Sequence, residues 1–206
     1  GCEIVFACVG NDDDLRNVAF GDDGILAGMD KGAVFVDHTT ASADVAREIY
    51  TVAKSMNKHF LDGPVSGGQA GAENGALTVM VGGEQDAFDA SKPIMENYGK
   101  AVTLMGEAGA GQLTKMVNQI CIAGLVQGLS EGLNFADKAG LDAKLVVDVI
   151  SKGAAQSWQI ENRGYTMIDD KFNFGFAVDW MRKDLGICMA ESKNNGAKLP
   201  VTETVA

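Results

Sequence analysis

A lysine followed by two amides is the first group in this chain that could do chemistry. Lys115, Asn118 and Gln119 stand at i, i+3 and i+4 in the stretch GAGQLTKMVNQ, a spacing that puts all three on one face of a helix. That face opens a run that is otherwise apolar, through Val117, Ile120, Ile122, Leu125 and Val126. A lysine partly buried there has its ammonium form disfavoured. A pKa moved toward neutrality is what a general acid for a carbonyl needs. A solvated lysine on a surface stripe fits the same spacing, since buried lysines are rare, and the helix alone leaves both readings open.

The second group is Asp62-Gly63-Pro64-Val65-Ser66-Gly67-Gly68, which follows a strand-like run and precedes Gln69–Asn74, a short helix candidate. Small residues let a backbone approach a ligand closely. Free N–H groups at a helix start, with a serine hydroxyl beside them, form a natural cradle for a carboxylate. An ordinary strand-to-helix turn uses the same residue types. Three further stretches are weaker. Lys183, in Trp180–Gly186, is a polar site on an amphipathic helix and reads equally as a surface charge. Asp12-Asp13-Asp14 reads as a solvated loop or a helix cap. Thr39-Thr40-Ala41-Ser42 follows a strand at its carboxyl end, where α/β sheets place ligands, and is open to a cap or a ligand contact.

Residues 1–106 alternate short apolar runs with helical or loop segments. Strands are expected at Ile4–Val9, Ala33–Asp37, His59–Asp62, Leu77–Val81 and Ala101–Met105. The first two lack clean alternation, which suits strands buried on both faces. Between the second and third, Ser42 can cap a helix whose stripe is Val45, Ile49, Val52 and Met56. Strand, helix, strand at this spacing predicts βαβ units and a largely parallel, partial Rossmann-like sheet. The pattern changes at the glycine-rich hinge Gly106–Gly111. Beyond it, Gln112–Lys138 has no proline and a long helical period, suited to an inter-domain spine. Asp142–Ser151 and Ala177–Asn194 follow as helices, the latter stopped by Gly196 and Pro200. The fold class expected is therefore α/β, with residues 1–107 as one domain and residues 108–206 as an all-helical second domain.

Composition narrows the function. With 17 basic against 28 acidic residues the net charge is −11; phosphate backbones and acidic lipid surfaces both demand a basic face, so neither nucleic acid nor a membrane is an expected partner. No apolar run reaches the roughly 18 residues of a membrane span. Cys2, Cys8, Cys121 and Cys188 form no CxxC pair, and three of them sit in apolar runs; they read as reduced thiols acting as small hydrophobes in a cytoplasmic protein. His38 and His59 are the only histidines, so no metal site is expected.

Taken in order, DGPVSGG, then GxxxKxxNQ, then KDLGI resemble the β-hydroxyacid dehydrogenase family, which includes 3-hydroxyisobutyrate dehydrogenase, tartronate semialdehyde reductase and, more distantly, 6-phosphogluconate dehydrogenase. The resemblance covers essentially the whole chain. It implies hydride transfer between NAD or NADP and a small carboxylate substrate, with Lys115 as the catalytic lysine and Asn118 helping to hold the substrate. Ser66, Gly67 and Gly68 match the substrate-carboxylate motif, and Gln119 stands where many members carry a second Asn. Thr40 and Lys183 match cofactor-contacting positions, Cys8 and Val9 match the strand-end pair on the nicotinamide side, and Asp13 sits where many relatives carry a cofactor-contacting Asn.

The family opens on a βαβ unit with a GxGxxG loop for the pyrophosphate, and no GxGxxG precedes a helix here. By that analogy the chain is expected to lack the family's first segment and its last helix or two, to bind NAD(P) weakly by itself, and to present its first strand as an unpaired sheet edge. The discriminator between NAD and NADP belongs to the same segment. Ala123, Gly124, Gly128 and Gly132 permit close helix approach, so a homodimer or homotetramer through the long helix is expected. Imine reductases share the architecture but usually replace the lysine. A catalytically silent member, serving as an assembly or binding module, and an unrelated α/β module are the other readings.

Overall fold

A computed structural model describes all 206 residues. The first half runs β1 (Ile4–Ala7), α1 (Asp12–Phe20), α2 (Ile25–Gly28), β2 (Val34–Asp37), α3 (Ala43–Ser55), β3 (His59–Asp62), β4 (Val65–Ser66), α4 (Gly68–Glu73), β5 (Leu77–Gly82), α5 (Gln85–Met95) and β6 (Gly99–Gly106). The second half is helical: α6 (Ala110–Lys138), α7 (Ala143–Ile150), α8 (Trp158–Ile168), α9 (Val178–Asn195) and α10 (Pro200–Val205).

The strands form one six-stranded sheet. β1, β2 and β3 run parallel, and β5 and β6 run parallel to each other. Between these blocks the sense reverses: β3 and β4 both lie antiparallel along the same edge of β5, with Asp62 opposite Gly82 and Ser66 opposite Thr78. β3 thus runs on through Gly63-Pro64 into β4, and the Ser66–Gly68 turn is delivered directly by the sheet. β1 pairs with β2 alone, leaving its outer edge open as the sequence implied.

Alternation along β2 explains its burial on both faces. Phe35 packs with Phe60, Leu15, Val45 and Ile49 beneath α1 and α3. Val34 and Val36 point the other way, to Leu61, Val79, Val81, Phe88 and Met95 beneath α5. Ser42 caps α3 by accepting from the Val45 N–H, and Val45 and Ile49 are fully buried, as the stripe predicted.

The structure corrects several expectations. Asp12–Asp14 is neither loop nor cap but the first turn of α1; Asn11 is the cap, its side-chain oxygen accepting from the Asp13 and Asp14 N–H groups. Three carboxylates in a first turn suit the positive end of the helix dipole. β4, α5 and α8 were not expected. Cys2, Cys8 and Cys121 are exposed and only Cys188 is buried.

α6 spans 29 residues, roughly 44 Å at 1.5 Å per residue. Its start is fixed by backbone geometry. Gly109 adopts φ 91°, a left-handed conformation that favours glycine. Gly111 touches the sheet so closely that a Cβ would overlap the Met80 carbonyl oxygen and lie 2.7 Å from that of Asp62. The buried Asp62 carboxylate completes the junction, accepting from the Gly109 N–H at 2.7 Å and the Gln112 N–H at 2.9 Å.

Candidate active site

Lys115 sits in the second turn of α6, only 6% exposed. Burial pushes its pKa down to about 8, with Lys183 adding to the fall and Asp184 opposing it. A solvated surface lysine is therefore excluded. Along the same face, Asn118 Nδ2 donates to Gln119 Oε1 at 2.8 Å, and Gln119 Nε2 donates to Asp184 Oδ2 at 2.6 Å. Across the cleft, Ser66 Oγ approaches Asn118 Oδ1 at 3.4 Å. Ser66, Asn118, Gln119 and Asp184 thus form one polar row beside the lysine, joining the sheet, α6 and α9.

The glycines beside Ser66 are needed for their conformation. Gly67 has φ 139° and Gly68 φ 62°, turning the chain from β4 into α4. The α4 N-terminus has no side-chain cap, so its first N–H groups stay available to an anion.

Lys183, the other cation of the site, ties α9 to the segments that follow β1 and β2. Its Nζ donates to the Gly10 carbonyl at 3.0 Å and to the Thr40 carbonyl at 2.5 Å, and lies 3.2 Å from Asp184 Oδ1. Thr40 is thus brought to the site through its backbone. Val9 is placed by its N–H, which donates to Thr39 Oγ at 2.9 Å; that hydroxyl in turn donates to Asp37 Oδ1 at 2.6 Å. Gln112, fully buried, donates to the Thr39 carbonyl at 2.7 Å and accepts from the Ala41 N–H at 3.0 Å. The carboxyl ends of β1 and β2, with Cys8-Val9 and Thr39-Thr40, therefore lie side by side and are stapled to α6.

Asp13 does not join them. Its side chain is 95% exposed and faces Arg16 at 3.6 Å. The residues facing the site from this loop are Gly10, through its carbonyl, and Asp12, which accepts from the Ser42 N–H at 2.8 Å and Oγ at 2.5 Å. Asp184 was also passed over; it is 2% exposed, and its Oδ1 makes no hydrogen bond. A carboxylate adjoining a lysine on an amphipathic helix looks like a surface pair, and only packing of α9 on α6 buries it.

Two family models divide the chain between them. The model for the NAD binding domain of 6-phosphogluconate dehydrogenase matches residues 1–106, and the model for the NAD-binding region of NADP-dependent 3-hydroxyisobutyrate dehydrogenase matches residues 109–206. The chain belongs to the NAD(P)-dependent β-hydroxyacid dehydrogenase family. It is 64% identical to an uncharacterized oxidoreductase of Shewanella frigidimarina over 100% of this chain and 70% of that protein. It is 36% identical to the 2-hydroxy-3-oxopropionate reductase of Escherichia coli, over 98% of this chain and 69% of that one. Among solved structures, Mycobacterium tuberculosis 3-hydroxyisobutyrate dehydrogenase with L-serine superposes with a TM-score of 0.89 at 30% identity, over 99% of this chain and 72% of that chain.

In this member of the family, the strand ends of β1 and β2 are where the nicotinamide half of a dinucleotide would fit. They are the carboxyl ends of adjacent parallel strands, the position where open α/β sheets take such ligands. Asp184 Oδ1, buried and ion-paired with Lys183 Nζ at 3.2 Å, and the buried Lys115 amine make the adjoining space polar. No helix of the chain is long and apolar enough to cross a membrane.

Proposed function

We propose that this protein transfers a hydride between NAD(P) and a small 3-hydroxy acid or the corresponding semialdehyde, of the 3-hydroxyisobutyrate or tartronate semialdehyde type. The observation that carries the reading is the buried Lys115 amine, at pKa about 8, one helical turn from an Asn118 that reaches Ser66. When bound, the nicotinamide supplies the hydride acceptor or donor. The protein's residues do the rest. Ser66 Oγ and the Gly67 and Gly68 amides hold the substrate carboxylate. Asn118 orients the substrate, and Gln119 keeps Asn118 in place from its own anchor on Asp184. Lys115 takes the hydroxyl proton during oxidation and returns it to the alkoxide oxygen during reduction. Cys8, Val9, Thr40 and Lys183 form the nicotinamide side; Asp13, being exposed, is left out.

The silent-member reading finds no support here: Lys115 is buried on the α6 face that also carries Asn118, and Asn118 meets Ser66. We further propose residues 1–107 as the cofactor-side domain and residues 108–206 as the substrate and oligomerisation domain of a cytoplasmic homodimer or homotetramer. Exposed apolar side chains on the helical half, Leu125, Phe135 and Val149 among them, support the last point. The test is a screen of full-length protein with NAD and NADP against 3-hydroxyisobutyrate, tartronate semialdehyde and related acids. Turnover of at least one pair is expected, and Lys115→Ala should lower kcat by about 10²–10⁴-fold. Near-normal turnover in that variant would remove Lys115 from the acid/base role.

A further inference from the structure

Arg163 on α8 is a guanidinium without a carboxylate. In a chain with 28 acidic residues it makes no ion pair, and its one polar contact is Nη1 donating to the Asn162 carbonyl at 3.1 Å. Instead it lies against two aromatic rings. Its Cζ lies 5.0 Å from the Trp158 ring centroid and 4.3 Å from that of Phe174. Rings over a guanidinium are attractive through their faces, and they leave the in-plane N–H groups as its free donors. A planar fork stacked on rings, with N–H groups free at its edge, can bind a carboxylate through two parallel hydrogen bonds.

The position of this fork connects it to the site. Phe174 belongs to the segment between α8 and α9. The next residue, Gly175, lies against Gln69: a Cβ there would come 3.3 Å from Gln69 Oε1. Gln69 directly follows the Gly67-Gly68 turn that begins α4. A short run of contacts, Arg163 to Phe174 and Gly175 to Gln69, therefore joins the guanidinium to the wall of the carboxylate cradle.

The geometry points to Arg163 as a specificity-determining residue that receives a second carboxylate, carried on the substituent at C2 of the substrate. This rests on the 3-hydroxy acid reading above and narrows it: the preferred substrate is a dianion, one carboxylate at Ser66 and the other at Arg163.

The test compares three compounds sharing one 3-hydroxy acid head: 2-(hydroxymethyl)glutarate, its distal methyl ester, and 3-hydroxyisobutyrate. The diacid and its ester differ only in whether the C2 arm ends in a carboxylate or an uncharged ester, and 3-hydroxyisobutyrate replaces the whole arm by a methyl group. For full-length protein, kcat/KM for the diacid should exceed that for the ester at least about 10-fold. In Arg163→Met that ratio should collapse toward one, with the loss in KM, and Arg163→Lys should restore part of it. A melting curve on each variant checks that it is folded. Equal use of diacid and ester by the unmodified protein, or a ratio unchanged in Arg163→Met, overturns the inference and leaves the hydroxy acid reading intact, making Arg163 a packing residue. Turnover of none of these compounds, with turnover of tartronate semialdehyde, also rejects the dianion preference. Turnover of no hydroxy acid at all defeats the parent reading and this one with it.

Discussion

Gln119 and Asp184 meet at 2.6 Å, an amide N–H donating to a carboxylate that is almost wholly buried. The pair does two things. It fixes Gln119, and so Asn118, which accepts from Ser66 on the other side of the cleft. It also sets a negative charge near Lys115, where it opposes the fall in pKa that burial and Lys183 produce.

Asp184→Asn keeps the shape of this contact and removes the charge, so it isolates the second effect. Lys115 is depressed from its ordinary value to about 8, so the neutral amine that oxidation requires becomes available as pH rises through about 8. Without Asp184 the ammonium loses a favourable interaction and the pKa falls further. The pH profile of kcat/KM for alcohol oxidation should therefore have its rising limb near pH 8 in the unmodified protein and at lower pH in the variant. A limb that stays put, or moves to higher pH, would contradict this coupling.

How much of this was legible in the sequence follows from which interactions are local. Lys115, Asn118 and Gln119 share a face by helical spacing alone, and Ser42 and Asp142 cap their helices through bonds to residues two or three positions on. Those were readable. The burial of Lys115 and Asp184 depends on α9 packing against α6, and the Lys183 contacts with Gly10 and Thr40 join residues 173 and 143 positions apart. No periodicity encodes them. The loop after β1 shows the same limit. Three adjacent aspartates are indistinguishable by type, and only the Asn11 cap decides that Asp12 turns toward Ser42 while Asp13 faces solvent. α5 was obscured by Pro93, which lies inside the helix where proline usually ends one.

Gly111→Ala tests how tightly the catalytic helix is seated. The added methyl would collide with the Met80 and Asp62 carbonyl oxygens, which are backbone atoms and cannot swing aside. α6 must shift, breaking the bonds from Gly109 and Gln112 to Asp62. A loss of about 1–3 kcal/mol in stability is expected, with a fall in kcat because Lys115 and Asn118 ride on the displaced turn. Denaturant unfolding and steady-state kinetics check the two parts; an unchanged midpoint would show that the junction has slack.

Asp37 and Asp62 give stability a pH dependence. They are cross-strand neighbours on β2 and β3, and burial pushes them up to about 7 and about 6. Each folded-state value lies above the ordinary carboxylate value, so the folded protein holds these protons more tightly than the unfolded chain. Their contribution is fully present below pH about 4 and is lost as pH rises through about 6 and 7. Asp37 Oδ1 accepts from the Thr39 N–H and hydroxyl, but Oδ2 has no hydrogen-bond partner, so its charge is only partly compensated. Asp37→Asn should flatten the decline in Tm between pH 5 and pH 7.5, roughly, by removing one of the two titrations. A variant whose Tm falls as steeply as before would show that Asp37 is already ionised at pH 5.

Cofactor affinity separates the two halves of the dinucleotide. The strand ends at Cys8-Val9 and Thr39-Thr40, with Lys183 beside them, suit the nicotinamide. The pyrophosphate needs a glycine-rich turn opening a helix after a strand, and none of the 206 residues forms GxGxxG. The space beside Lys183 offers a phosphate little net attraction: Asp12, Asp44 and Glu191 line it against Lys183 and Arg16. Calorimetric titration of these 206 residues alone with NAD and with NADP should therefore give dissociation constants weaker than about 1 mM, less than roughly 4 kcal/mol of binding. Micromolar binding by the 206-residue chain would mean that its own strand ends and Lys183 hold the dinucleotide without a glycine loop.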